Sequence, residues 1–101
     1  MEKAPPVGEI IGLLACDIEV RPSGAPMPSA LAPHIRDVQR SPGAMTIAFA
    51  PEAAADVEAF AAAERVCCPG IGWDVQRDPV TLTITASPAQ LDAIARIFEP
   101  A

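Results

Sequence analysis

The stretch IGWDVQRDPVTLTIT, residues 71–85, decides the fold. Its first half alternates Ile71, Trp73 and Val75 with Gly72, Asp74 and Gln76. Its second half alternates Val80, Leu82 and Ile84 with Thr81, Thr83 and Thr85. Period-two alternation marks a strand with one face on a core and the other open. The short RDP connection between the halves predicts an antiparallel hairpin.

Helices flank this hairpin. Downstream, Ser87 is placed to cap a helix whose Leu91, Ile94, Ala95 and Phe98 form one stripe. Upstream, PEAAADVEAFAAAERVC (51–67) predicts the longest helix. Pro51 suits its first turn, and Glu52 and Asp56 lie near its positive end. AMTIAFA (44–50) puts Met45, Ile47 and Phe49 on one face of another strand, and SPG (41–43) is a turn. A short helix is expected near 29–40, with Ser29 as its N-cap, Leu31, Ile35 and Val38 on one face, and Pro33 confined to the first turn. Leu14, Cys16, Ile18 and Val20 alternate with polar or small residues, which predicts a strand over 10–20 with Cys16 facing the core. The order β-α-β-α-β-β-α implies an α+β domain. It has a mixed or antiparallel sheet of about four strands, with two or three helices packed on one face. Residues 1–9 read as a flexible tail and 10–101 as a single domain.

Composition narrows the function. The chain has 101 residues, 50% of them hydrophobic, which fits one small globular unit. Seven basic residues against thirteen acidic ones give a net charge of −6. That balance argues against binding nucleic acid or an anionic membrane, both of which rely on lysine and arginine. No apolar run approaches the roughly 18 residues that cross a bilayer. The opening MEKAPPVGE lacks the basic-then-apolar order of a secretion signal. The expectation is a cytoplasmic protein, where cysteines serve metal binding or catalysis more often than structural bridges.

The chemistry gathers at FAAAERVCCPG, residues 60–70. Val57, Phe60, Ala61, Glu64 and Cys68 follow helical spacing on one face, so Glu64 falls on the side that faces the core. Its carboxyl reaches toward residues three and four positions on, Cys67 and Cys68. Pro69 biases Cys68 away from helical geometry, which lets the two sulfurs converge instead of splaying by about 100°. Cys16 is a candidate third sulfur. Soft thiolates favour Cu(I), Zn(II) and other thiophilic ions, mercury and trivalent arsenic among them. Cys16, Cys67 and Cys68 are therefore the candidate ligands. Glu64 is a candidate to orient the site or take up thiol protons, and Arg65, Pro69 and Trp73 are supporting residues. His34, the only histidine, is expected at the surface rather than as a fourth ligand.

ERVCCPGIGWDV followed by VTLTITASPAQLDAIARIF resembles a group of small uncharacterised bacterial proteins with a Glu-Arg-x-Cys-Cys-Pro motif. The residues that carry the resemblance are Glu64, Arg65, Cys67, Cys68 and Pro69. The group usually places an aromatic after the proline, where this chain has Gly70. An upstream cysteine near the first strand matches LLACDI. Some members are associated with heavy-metal resistance or metal-responsive regulators, which implies a thiol site here.

Three functions remain open on the sequence. One is a thiophilic metal or metalloid binder for sensing, transfer or detoxification. Another is a thiol redox protein using a Cys67–Cys68 pair. The third is a non-catalytic homodimeric scaffold or ligand-binding module whose cysteines only pack. Nothing in the sequence marks a hydrolytic enzyme.

Overall fold

A computed structural model describes residues 24–98. The tail over 1–9, the strand over 10–20 and Cys16 lie outside the described residues. A one-turn helix α1 (Pro28–Leu31) runs into a 3-10 turn (Ala32–His34). Strands β1 (Ile35–Ser41) and β2 (Ala44–Phe49) follow. A 3-10 turn at Pro51–Ala53 then leads into helix α2 (Ala54–Cys67). The chain closes with β3 (Gly72–Arg77), β4 (Val80–Thr85) and helix α3 (Pro88–Phe98).

The four strands form one antiparallel sheet in the order β1-β2-β4-β3. The α+β class with helices on one face is as expected. The expected hairpin of residues 71–85 is present, with Trp73 facing Ile84 and Val75 facing Leu82 across the strands. Gly72 sits opposite Thr85, where an added Cβ would come within 3.2 Å of the threonine Cβ. The alternation resolves the two faces as read. Met45, Ile47, Phe49, Val80, Leu82, Ile84 and Trp73 are buried under the helices. Thr46 and Thr83 meet on the other face, their hydroxyl oxygens 3.3 Å apart.

One element differs from expectation. Residues 35–41 form a strand, not the second half of a helix over 29–40. The helix is limited to Pro28–Leu31, and its N-cap is Met27 rather than Ser29. Pro33 allows no continuation of a helix through it. The Pro42–Gly43 turn then folds residues 35–41 back on β2, where Val38 pairs with Ile47 and Arg40 with Met45. The pattern was hidden because β1 is an edge strand with little of it buried, Val38 being 48% exposed. Edge strands carry charge and so lose the apolar alternation of inner ones. Arg40 reaches over to α3, with Nη1 2.6 Å from Asp92 Oδ1 and Nη2 donating to the Pro88 carbonyl at 2.9 Å.

Phe60 of α2 centres the core. Its ring meets Trp73 edge-on at 5.9 Å and Phe98 at 5.6 Å, tying α2 to β3 and to α3. Arg77 at the end of β3 donates from Nε to Glu58 of α2 at 2.8 Å. That hydrogen bond holds the Glu58 carboxyl below the usual carboxylate range. Together these contacts fix α2 lengthwise on the hairpin.

Helix α3 begins with a reciprocal cap. Ser87 Oγ accepts from the Gln90 N–H at 3.2 Å, while Gln90 Oε1 accepts from the Ser87 N–H at 3.0 Å. Ser87→Ala should lower the unfolding free energy by about 1 kcal/mol, read by urea denaturation. A change within error would mean that the cap contributes nothing.

Candidate metal centre at the end of helix α2

The site begins with how α2 stops. Cys67 is its last residue, and Cys68 takes φ −128°, ψ 64° outside the helical region, as expected for the residue before Pro69. The Cys68 N–H still donates to the Glu64 carbonyl at 2.6 Å, so the last turn closes normally. The Cys68 carbonyl has left the helix. It accepts from the Ile71 N–H at 3.2 Å and from the Trp73 indole Nε1–H at 3.3 Å. Arg65 Nε in turn donates to the Trp73 carbonyl at 2.9 Å. Helix end and first hairpin strand are thus laced together through polar atoms.

This lacing gives Arg65 and Trp73 their roles. Arg65 is exposed and anchors backbone; Trp73 is buried and holds Cys68. The aromatic face of Trp73 belongs to the core, as its strand position predicted. Sequence reasoning did not identify the indole N–H contact to Cys68. The available signal was that a buried tryptophan needs an acceptor for its N–H.

The side chains converge as the helical spacing predicted. Glu64 Oε2 lies 3.4 Å from the Cys67 sulfur and 3.4 Å from the Cys68 sulfur. The two sulfurs are 3.6 Å apart. Both cysteines are 1% exposed, whereas Glu64 is half-buried, so the carboxyl forms the solvent side of the group. Glu64, Cys67 and Cys68 together are a group able to hold a metal ion. His34 lies at the end of the 3-10 turn before β1 and is not part of it.

The two sulfurs differ in state. Cys67 is a buried thiol, while Cys68 is one half of a disulfide. Cys67 and Cys68 are therefore not bridged to each other in this structure. The remaining cysteine of the sequence, Cys16, lies outside the described residues.

Electrostatics set the preference of this corner. The C-terminal end of a helix carries roughly half a negative charge. A carboxyl and two sulfurs sit at that end of α2, in a chain of net charge −6. Such a setting disfavours thiolate nucleophiles, which are activated at helix N-termini or by cations. It favours a bound cation. No protein-family model, curated protein or solved structure matches the chain.

Trp73→Phe removes the indole donor to the Cys68 carbonyl and part of a buried ring. The loss should be about 2 kcal/mol, combining one hydrogen bond with a small cavity. Far-UV circular dichroism in urea is the suitable readout, since Trp73 is the only tryptophan. A loss under about 0.5 kcal/mol would show that the indole N–H does not hold the helix end.

Proposed function

We propose that the protein, with Cys68 in its thiol form, binds one thiophilic metal or metalloid ion through Cys67 and Cys68, for sensing, transfer or detoxification. One observation carries this reading. Two buried sulfurs stand 3.6 Å apart at the negative end of a helix, both 3.4 Å from the same carboxyl oxygen. Packing alone does not require a carboxyl between two cysteines. Ligation requires thiolates, so binding displaces the thiol protons, and a cation offsets the charge that this leaves. Cys16 is the candidate third sulfur. The resemblance to Glu-Arg-x-Cys-Cys-Pro proteins linked to heavy-metal resistance supports the same reading. A reducing, cytoplasmic setting suits it, because it keeps the cysteines as thiols.

Titration of the fully reduced protein with Zn(II), Cu(I), Hg(II) and As(III) tests the proposal. One ion per chain is expected, with Cys67→Ser or Cys68→Ser weakening it by more than about 100-fold, beyond what loss of an outer-sphere partner does. No tight complex with any of the four, or unchanged affinity in both variants, overturns it.

The disulfide at Cys68 favours a second reading, thiol–disulfide chemistry. The Cys67 sulfur lies 3.6 Å from the bridged sulfur. As a thiolate it would attack Cys68 Sγ, form the Cys67–Cys68 bond and release the former partner of Cys68 as a thiolate. The exchange conserves electrons and needs no external oxidant. The position at the negative helix end opposes it, since cysteine nucleophiles are favoured at helix N-termini or beside cations. Thiol counts on reduced protein before and after mild peroxide separate the readings. A reversible loss of two of the three thiols is the redox outcome, and stable thiols sink it.

A further inference from the structure

With Cys68 bonded in a disulfide, the end of α2 holds a thiol, a proton acceptor and a sulfur open to attack side by side. We infer that Glu64 is the catalytic base of thiol–disulfide exchange here, taking the Cys67 proton as Cys67 Sγ attacks Cys68 Sγ. The inference rests on the thiol–disulfide reading and deepens it by giving Glu64 a chemical role.

The distances belong to the state that would react. Cys67 is a thiol and Cys68 is bonded, so of the two sulfurs 3.4 Å from Glu64 Oε2 only that of Cys67 has a proton to give. The Cys67 sulfur lies 3.6 Å from its target, close to the separation of about 3–3.5 Å from which reacting atoms join. The step balances. The Cys67 proton passes to Glu64 Oε2 and the Cys67–Cys68 bond forms. The bond from Cys68 to its present partner breaks, and its electron pair leaves on the partner's sulfur as a thiolate. No oxidant or reductant is consumed.

Burial and charge both call for a base at this position. Cys67 is 1% exposed, so bases in solution have little access to its proton. Glu64 is half-buried and forms the solvent side of the group, which lets it accept the proton inside and release it to water afterwards. A standing Cys67 thiolate would add a second negative charge beside Glu64, at the negative end of α2. Transfer during the attack avoids that state. The negative charge starts on the carboxylate and ends on the departing sulfur, leaving a neutral acid and a neutral disulfide at the helix end. The setting that opposes a free thiolate thus favours this route.

The full, unreduced chain tests the inference. Iodoacetamide is added at concentrations where labelling no longer quickens, so that exchange sets the rate. Trypsin then frees residues 66–77, the peptide that holds both Cys67 and Cys68. It should appear unlabelled and lighter than its dithiol form by the hydrogens lost in forming the new bond, with the label elsewhere in the chain. Glu64→Gln should slow the appearance of this peptide by about 100-fold or more. Glu64→Asp keeps the charge but withdraws the oxygen, and should be slowed as well. Far-UV circular dichroism checks that both variants fold. A carboxylate that only repelled the thiolate would give the opposite sign, since removing its charge would speed exchange. Either variant exchanging at or above the wild-type rate overturns the inference while the thiol–disulfide reading stands. If the lighter peptide never forms from the wild type, that reading fails and the inference with it.

Discussion

The site depends on where α2 is made to stop. A helix continuing through residue 68 would point the two sulfurs about 100° apart. Pro69 prevents this, and Cys68 at φ −128°, ψ 64° turns its sulfur to within 3.6 Å of its neighbour. The same break frees the Cys68 carbonyl, which the Ile71 N–H and the Trp73 indole then claim. Trp73 is wedged against Phe60, the ring at the centre of the core. One imino acid thereby ends a helix, gathers two sulfurs and fixes the start of the hairpin.

Glu64 is the residue that does not fit a purely structural account. Its spacing places it with Val57, Phe60 and Ala61, all buried. It also lies in the last turn of α2, where the helix dipole opposes negative charge by roughly 0.3–1 kcal/mol when exposed. An alanine there would satisfy both packing and propensity. The carboxyl instead directs one oxygen between two sulfurs. Residues that break local rules in this way are where function is to be sought.

Much of this was legible in the sequence because the inner elements have clean periods. The alternation in residues 71–85 and 44–50 fixed which side chains face the core, and Ser87 was legible as the cap of α3. Glu64, Cys67 and Cys68 could be brought together on paper because the contact is local and helical spacing is fixed. Residues 35–41 misled for the opposite reason. An edge strand buries little, so Ile35 and Val38 fit a helical spacing as well as a strand, and only pairing with β2 decides between them. The hydrogen bond from Trp73 to Cys68 was also out of reach. It depends on the angle at which the chain leaves the helix, which no spacing rule encodes.

The state of Cys68 ties the two proposed chemistries to each other. Its sulfur cannot be half of a disulfide and a thiolate ligand at once, so oxidation removes one of the two sulfur donors, and a bound ion withholds that sulfur from oxidation. By linkage the two effects are equal in free energy: the factor by which an ion resists oxidation is the factor by which oxidation weakens the ion. The position of Glu64 tilts the balance. At the negative end of α2, a carboxyl beside two sulfurs makes an uncompensated thiolate unfavourable, and either a proton, a sulfur–sulfur bond or a cation relieves it. Of these, only a cation draws on the carboxyl and both sulfurs of adjacent residues together.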